Sequence, residues 1–412
     1  MSKRTYDIVV FGATGFTGEL VAAYLAEAMK REPVRWAIAG RNAEKLARVH
    51  KRLQSVNPDV RDQVGMIVAD SRTPESLKKM AAQTRVVLTT VGPYILHGEP
   101  LVAACVEAGT DYADLTGEPE FVTRMQDRYG EAAEAGKLRI VNCCGFDSIP
   151  HDFGAWFTAR QLTEGLSPAE REKLSITIEG FVRASGTFSG GTWHSAIHAF
   201  SRAREFMKYT PKRRRDAAGR KVGSVPMKLE FQKELGVWGV PFPTIDPQVV
   251  KRTARVMPEF GGEFRYGHYV QVKKLPRVLM GVAAVGGIFT LAQFRWTRDW
   301  LLQLKHQGEG PSPAERARGW FRVDFLAHDS TGRRLHTRVS GGDPGYGETS
   351  RMLAETGLCL ALDRRRLPRH YGVITPVAAT GKPMLERLQR MGIRFEVLSD
   401  SRAASGEQAS AA

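Results

Sequence analysis

Short apolar runs alternate with amphipathic segments along the first 145 residues of the chain. The apolar runs have the length of buried strands and include "YDIVVFG", "VRWAIAG", "VGMIVAD", "RVVLTTVG" and "LRIVNCCG". Segments between them, such as "NAEKLARVHKRLQ", repeat apolar residues at helical spacing, and Asn42 and Pro74 supply helix-start signals. Strands and helices that alternate in this order form right-handed crossovers. The pattern therefore predicts an α/β fold with a doubly wound parallel sheet over residues 1–145.

After Gly145 the pattern changes to period-two alternation. It occurs in "LSITIEGFVRASGTFSGGTW" and in "WFRVDFLAHDSTGRRLHTRVSGG", which predicts a hairpin turning at "DSTGR". We expect an α+β domain with a mainly antiparallel sheet over 146–345, which contains a basic loop and an apolar segment at 278–294. The amphipathic "GETSRMLAETGLCLAL" predicts a helical segment over 346–398 that packs back towards the first domain. The small, polar residues 399–412 predict a disordered tail.

The composition is that of a folded, soluble protein with an excess of positive charge. Of 412 residues, 42% are hydrophobic and 25% are charged, and the net charge is +16. A basic balance of this size favours anionic partners. The four cysteines match no metal spacing, so no metal site is predicted and free thiols in a reducing cytoplasm are expected. The start, "MSKRTYDIVVF", has too short an apolar run for a signal peptide.

Three glycines follow the first predicted strand in "FGATGFTGEL". Gly12, Gly15 and Gly18 stand three residues apart, between a strand and the helix it feeds. Such glycines permit a sharp turn, a close backbone approach to a pyrophosphate, and tight helix–sheet packing, and the helix N-terminus then binds the anion. We interpret the stretch as a dinucleotide loop, with an ordinary tight turn as the alternative. The predicted cofactor-binding set in this loop is Gly12, Thr14, Gly15, Phe16, Thr17 and Gly18.

The end of the second strand indicates which dinucleotide binds. It carries "AGRN" and lacks the acid that usually holds the ribose of NAD. The Arg41 guanidinium suits a phosphate, which favours NADP(H); the alternative is a solvated residue at the start of a helix. Asp70 ends the third strand, where we expect it to meet the adenine. Gly92 and Pro93 follow the fourth strand, where the nicotinamide would lie, although Pro93 could equally be a loop former.

Several stretches resemble the saccharopine dehydrogenase-like oxidoreductases. These are "GATGFTGEL", "VGPYILHGEPLVAAC", "DYADLTGE", "CCGFDSIPHDFG", "SGGTWHS" and "DPGYGETSRMLAE", so the resemblance spans roughly residues 5–395. Within the family the sequence is most similar to the trans-acting enoyl reductases of bacterial lipid and polyketide pathways. The resemblance implies an N-terminal NADP-binding Rossmann domain, an α+β domain, and a final segment near the cofactor. For this branch it also implies NADPH-dependent reduction of an acyl carbon–carbon double bond.

Three residues are candidates for the chemistry at this sheet edge. Tyr94 could supply a proton or a hydrogen bond to a thioester carbonyl, or its ring could only cover the cofactor. Asp147 matches an acid in a related family pattern, which implies a place near the nicotinamide; equally, it could cap the helix that begins at Ser148. His151 could shuttle a proton, or it could be a structural histidine.

Charge and apolarity suggest further partners. The basic run at 208–221 lacks interleaved aromatic residues or a known module, so no nucleic acid is expected. The apolar segment Val278–Phe294 is at the lower limit for spanning a bilayer. Together with the basic loop it suggests a peripheral contact with an anionic membrane. The protein would then be cytoplasmic and associate with the inner face of the plasma membrane. A homodimer is a further hypothesis.

Three functions remain open from the sequence. The first is an NADPH-dependent oxidoreductase that acts on an acyl or lipid-like small molecule, in which an enoyl group is reduced. The second is an amino-acid or imine oxidoreductase of the saccharopine type, which would need a cluster of cations in its pocket. The third is a nucleotide-binding scaffold at the membrane that has lost catalysis. The apolar segment favours the first of these over the second.

Overall fold

The structure is a computed structural model that describes residues 4–185, 190–209, 219–226, 228–304 and 311–402. Most of the predicted basic run lies outside these residues. Between residues 4 and 141 strands and helices alternate as β1 (Tyr6–Phe11), α1 (Phe16–Ala28), β2 (Trp36–Gly40), α2 (Ala43–Leu53), α3 (Val60–Gln63), β3 (Val64–Val68), α4 (Pro74–Ala82), β4 (Thr84–Thr89), α5 (Tyr94–His97), α6 (Glu99–Ala108), β5 (Asp111–Asp114), α7 (Pro119–Ala135) and β6 (Arg139–Val141).

The second part of the chain contains longer strands and two groups of helices. Its elements are α8 (Ile149–Leu162), α9 (Pro168–Lys173), β7 (Ser175–Ser185), α10 (Gly190–Lys208), β8 (Lys221–Ser224), β9 (Glu230–Gln232), β10 (Val237–Pro241), α11 (Asp246–Val256), a 3-10 turn (Pro258–Phe260), β11 (Glu263–Val272), α12 (Leu275–Ala292), α13 (Arg295–Gln303), α14 (Pro313–Arg318), β12 (Trp320–Asp329) and β13 (Arg334–Gly341). The last part contains α15 (Gly347–Leu362), β14 (Gly372–Ile374), α16 (Pro376–Arg390) and β15 (Arg394–Asp400).

The first sheet has seven parallel strands in the order β14-β6-β5-β4-β1-β2-β3. Its inner strand β1 is buried on both faces, because Ile8 and Val10 pack on one side while Val9 and Phe11 pack on the other. Strands covered by helices on both faces are almost continuously apolar, as the runs in the sequence are. The predicted doubly wound sheet is therefore confirmed.

The second sheet is mixed and mostly antiparallel. Its path is β15-β13-β12-β7-β11-β10-β9, with β8 beside β11. β12 and β13 form the predicted hairpin, and β12 also pairs with β7 over ten residue pairs, from Trp320↔Ser185 to Asp329↔Ile176. One apolar cluster runs from Val10 of the first sheet through Phe153 of α8 to Phe325 of the second sheet, so the two sheets share a core.

The C-terminal segment differs from the prediction because it is not only helical. The short apolar run at β14 pairs in parallel with β6 and so completes the first sheet, whereas β15 pairs with β13 in the second sheet. The predicted disordered tail was wrong for its first four residues. Ser399 and Asp400 belong to β15, and the Asp400 carboxylate accepts from Arg333 at 2.6 Å and from the Arg402 amide at 3.0 Å. The rest of that tail, from 403 onward, lies outside the described residues.

A buried cation fastens this segment to the first domain. The Arg387 guanidinium on α16 contacts Glu32 at 2.7 Å, Glu355 on α15 at 2.8 Å and Asp363 at 2.7 Å, and only 3% of its side chain is exposed. Glu355 also accepts from Tyr24 on α1 at 2.6 Å. Because Glu32 and Tyr24 belong to the first domain, this network ties α15 and α16 to α1.

No single described helix is long and apolar enough to cross a membrane, although one bent helix pair passes the same test. That pair is Val278–Ala292 with Arg295–Gln303, and the two helices are bent by 119°.

Candidate active site

The glycine loop between β1 and α1 is folded so tightly that two of its glycines have no room for a side chain. Gly12 has φ +90°, and a Cβ on Gly12 would lie 2.7 Å from the Val91 side chain. A Cβ on Gly18 would lie only 2.1 Å from the Gly12 carbonyl oxygen. These positions therefore require glycine, both for the turn and for the close packing of α1 against β1.

Gly15 leaves the N-terminus of α1 open. It is the exposed N-cap residue, no side chain caps the helix, and Phe16 and Thr17 occupy the first turn. The first amides of a helix have no partner within it and carry a partial positive charge. Thr14 borders this turn, next to Gly40 at the end of β2. The loop therefore fits a pyrophosphate, which these backbone amides would hold.

Two arginines lie at the neighbouring strand ends. Arg41 follows β2, is exposed, and makes no ion pair with the described residues. It is not the helix cap, because Asn42 caps α2 by accepting from the Lys45 amide at 2.8 Å. Asp70 pairs with Arg72 at 2.8 Å, and the Arg72 hydrogen bonds lower the pKa of Asp70 to about 2. Two guanidinium groups thus flank this edge, which suits an additional phosphate.

The segment after β4 is fixed by the fold. Gly92 and Pro93 are joined by a cis peptide bond, and Pro93 precedes α5. The buried Tyr94 hydroxyl donates to the Thr89 carbonyl at 3.1 Å and accepts from the Leu115 amide at 3.2 Å. Burial raises the pKa of Tyr94 well above 10. Its hydroxyl therefore connects the ends of β4 and β5 and offers no free proton to a ligand.

The loop after β6 has an unusual backbone. Cys143 has φ +64° and Ser148 has φ +133°, both rare for residues with a side chain. Both cysteines of this loop are buried. Such strain persists only where the surroundings impose it, and it is frequent at functional sites. The loop delivers Asp147 and Ser148 to the carboxyl edge of the first sheet.

Asp147 reaches solvent at this edge, although protein surrounds it on several sides. Its Oδ2 lies 3.3 Å from the position that a Cβ on Gly117, after β5, would occupy. Desolvation and the nearby Asp246 carboxylate raise the pKa of Asp147 to about 6. The interpretation of Asp147 as a helix cap is not supported, because α8 begins after Ser148 without any side-chain cap.

A buried charge cluster lies behind Asp147. The Nδ1 atom of His151 on α8 lies 3.2 Å from Oδ1 of Asp246 on α11, and Nε2 of His268 on β11 lies 3.5 Å from Oδ2. The Asp246 oxygens also accept from the hydroxyls of Ser148 at 3.1 Å and Thr244 at 2.5 Å. Although burial opposes it, the two histidines hold the pKa of Asp246 below its usual range. Burial lowers the pKa of His268 to about 3.

The same three groups form a compact set of potential metal ligands. Among the described residues, the ligand atoms of His151, Asp246 and His268 all lie within 4.8 Å of one another. Each Asp246 oxygen accepts from one hydroxyl, whereas among the described residues both ring nitrogens of His151 and Nε2 of His268 have no hydrogen-bond partner, so the group is a buried carboxylate faced by two histidines. The absence of a metal stays a prediction.

The start of the C-terminal segment packs against the glycine loop. The Tyr346 ring meets the Phe16 ring edge-on, with centroids 4.7 Å apart, and the Arg316 guanidinium lies 5.6 Å from the centre of the Phe16 ring. Three residues further on, the Thr349 hydroxyl accepts from the Phe146 amide at 3.0 Å, beside Asp147. One segment therefore contacts both the cofactor loop and the strained loop.

The structure brings the predicted residues together at one sheet edge. The glycine loop, Arg41 and Asp70 lie at the ends of β1, β2 and β3, whereas Asp147 and His151 follow β6. Sequence reasoning missed Arg72, Asp246 and His268. Arg72 stands two residues after Asp70, close to the end of β3, and this position was a usable signal. Asp246 and His268 had no such signal, because only the packing of the second sheet against α11 brings them close to His151.

A parallel sheet with this loop, an open helix N-terminus and guanidinium groups at the second and third strands defines an NADP-binding oxidoreductase domain. Residues 8–141 match the family model of the saccharopine dehydrogenase NADP-binding domain. The chain belongs to the saccharopine dehydrogenase-like oxidoreductases, which confirms the resemblance, and its cofactor is NADP(H).

Relatives extend over nearly the whole chain. A Mycobacterium tuberculosis protein provisionally named as a trans-acting enoyl reductase is 36% identical over 96% of this chain and 98% of its own. The human saccharopine dehydrogenase-like oxidoreductase is 33% identical over 97% and 99%. The apo saccharopine dehydrogenase of Saccharomyces cerevisiae, solved as a structure, superposes with a TM-score of 0.54 at 10% identity, over 96% of this chain and 100% of that one. The last likeness concerns the fold.

Proposed function

We propose that this oxidoreductase reduces the carbon–carbon double bond of an enoyl thioester carried by a lipid-like acyl chain. The observation that carries the proposal is Asp147, a solvent-accessible carboxyl group with a pKa raised to about 6 at the sheet edge where a nicotinamide would lie. Enoyl reduction needs a proton donor from the protein, and an acid whose pKa is raised towards neutral pH still carries its proton in part of the molecules. The relatives named as trans-acting enoyl reductases support this choice of bond.

The chain's own residues position the cofactor. The amides at the start of α1 hold the pyrophosphate, and Arg41 together with Arg72 binds the additional phosphate of NADP(H). When bound, NADPH supplies the hydride that adds to the β-carbon of the substrate. The Tyr346 ring packs edge-on against Phe16 and so helps to hold the start of α1 in place.

Asp147 completes the reduction as the acid. Its carboxyl proton goes to the α-carbon as the double bond is lost, and the resulting carboxylate regains a proton from solvent, to which it is open. The saturated thioester therefore gains one hydride and one proton. Tyr94, whose hydroxyl is bonded at both ends within the fold, is not assigned a chemical step.

The cluster behind Asp147 acts through position and charge. Ser148, next to Asp147, is held by the Asp246 carboxylate, which in turn contacts His151 and His268. A fixed anion near Asp147 disfavours its ionised form. We therefore assign His151 as a positioning residue, because it contacts Asp246 and is itself buried.

The test is NADPH oxidation with a panel of 2-enoyl thioesters of increasing chain length and, separately, with imines of α-amino acids. We expect turnover of the thioesters by the native chain and its loss in Asp147→Asn, while NADPH binding, measured by fluorescence titration, is retained. Asp59→Asn is the matched control, because Asp59 is exposed and its side chain caps no helix. Turnover of imines alone would replace the proposal with the amino-acid reading, and NADPH binding without turnover of either class would favour the scaffold.

A further inference from the structure

Helices α12 and α13 present an apolar surface that the rest of the fold does not cover. We name it the α12–α13 surface, and its exposed large apolar side chains are Leu275, Leu279, Met280, Val285, Leu291, Phe294, Trp296, Trp300 and Leu304. Trp296 is 77% exposed, and Leu279 and Met280 are 64% and 65% exposed. Scattered single apolar residues are normal on a protein surface, but a contiguous set of this kind marks an interaction site.

The middle of α12, between the buried Val278 and Ala292, is exposed. Between 279 and 287 every side chain whose burial the structure describes is exposed. Nothing lies within 4 Å of a Cβ placed on Gly281, Gly286 or Gly287. At about 100° per residue, Gly286 and Gly287 point about 140° and 240° around the helix from Gly281, so the helix is open on three sides. An apolar helix in this position would be surrounded by water unless it entered another apolar phase.

The C-terminal end of α12 and the buried side of α13 are firmly packed. Ala292 and Leu301 form a small core with Ile197 of α10, and the Trp193 indole donates to the Leu301 carbonyl at 2.6 Å. The Gln293 amide donates to the Phe200 carbonyl at 2.8 Å. The helices are therefore held in a defined orientation, and their apolar outer face is a feature of the folded chain.

α13 has the character of a helix that lies in a membrane interface. Trp296, Trp300 and the C-cap residue Leu304 stand four residues apart and are exposed, while Thr297 and Leu301, about 100° further around the helix, are buried. Indole rings at the boundary between lipid and water bury an apolar body and keep a polar edge wet. The 119° bend between α12 and α13 lets one helix insert while the other lies flat.

The charges beside this surface indicate the partner. Residues 273–304 contain five basic residues and one acidic residue, and Lys273, Lys274 and Arg295 are exposed at the two ends of α12. In a two-fold dimer with antiparallel α12 helices, these basic ends would face each other and repel. Anionic lipid headgroups would instead be attracted at both ends.

From these observations we propose that the α12–α13 surface docks the protein on an anionic lipid bilayer, with α12 entering one leaflet. The nine residues 279–287 extend about 13 Å at 1.5 Å per residue. This length is close to one half of a hydrocarbon core of about 30 Å, so the helix enters without spanning. The inference stands on this surface alone and does not depend on the substrate of the enzyme.

The experiment is flotation of the full chain with vesicles of phosphatidylglycerol and phosphatidylcholine, compared with phosphatidylcholine alone. We expect binding to the anionic vesicles at low salt, weakened by salt, together with a blue shift of tryptophan emission. Leu279→Ser with Met280→Ser should reduce the partition coefficient at least tenfold, since each substitution removes an apolar side chain that the bilayer would bury. Lys273→Ala with Lys274→Ala should reduce it about fivefold for each charge removed, and only on anionic vesicles.

The matched control is Leu229→Ser with Phe231→Ser, two exposed apolar side chains at the edge strand β9 and its approach. It should bind vesicles like the native chain, and NADPH binding should be unchanged in all variants, which shows that they fold. No binding by the native chain at low salt would overturn the proposal, as would equal binding by the Leu279/Met280 variant. A concentration-dependent dimer in light scattering that disappears in that variant would assign the surface to a second copy instead.

Discussion

Replacing Arg41 by alanine tests the assignment of the cofactor phosphate most directly. Arg41 is exposed and has no ion-pair partner among the described residues, so the substitution removes a ligand contact without breaking a contact of the fold. A hydrogen bond to a charged group contributes about 1.5 to 3 kcal/mol, and exposure places Arg41 at the lower end. At 1.36 kcal/mol for each factor of ten, NADPH binding should weaken at least tenfold.

Arg72 should contribute less because it is already bonded to Asp70 at 2.8 Å. We expect Arg72→Ala to weaken NADPH binding a few-fold. The assay is fluorescence titration of both variants with NADPH and with NADH. An Arg41→Ala variant that loses affinity for NADH as much as for NADPH would refute the phosphate assignment, and so would unchanged affinity for both.

Three further predictions concern the loop, the acid and the stability of the fold. Gly18→Ala should weaken NADPH binding at least a hundredfold, because its Cβ would meet a carbonyl at 2.1 Å and displace the loop, whereas Gly223→Ala, in open space, should bind normally. The rate of enoyl reduction should fall about tenfold per pH unit above about 6, since Asp147 must be protonated to act; a flat profile from pH 5 to 8 would contradict the role. Arg387→Met should lower the free energy of unfolding in urea by about 3 to 5 kcal/mol, because it strands three partly buried carboxylates. Arg61→Met, at the exposed pair with Asp62, should cost less than about 1 kcal/mol, and equal losses would show that the buried network is not special.

Features encoded by neighbouring residues were predictable from the sequence. The apolar runs, Asn42 as a helix cap and the glycines of the first turn all depend on contacts within a few residues or within one crossover. The hairpin at "DSTGR" was predictable for the same reason, since its turn lies between Asp329 at the end of β12 and Arg334 at the start of β13. Local geometry determines each of these features, so each can be predicted from residues that are close together in the sequence.

Features that depend on distant segments were not predictable. Asp246 and His268 reach His151 only because α11 and β11 pack close to α8, and the spacing of these residues in the sequence does not predict the contact. The role of the Tyr94 hydroxyl likewise follows from the Leu115 amide on the next strand. β14 was missed because three residues give too short a pattern, although their pairing with β6 is unambiguous in the fold.

The position of β14 has a consequence for the order in which the chain can become native. The first sheet closes at its outer edge only when residues 372–374 pair with β6, and Arg387 of α16 must then reach Glu32 near the start of the chain. A nascent chain that has emerged only as far as residue 345 therefore carries an unpaired strand edge and an unmatched Glu32, a state in which sheets are prone to associate with one another. The nucleotide domain is thus formed by two segments that lie far apart in the sequence, and its first sheet is complete only after residues 372–374 have been synthesised.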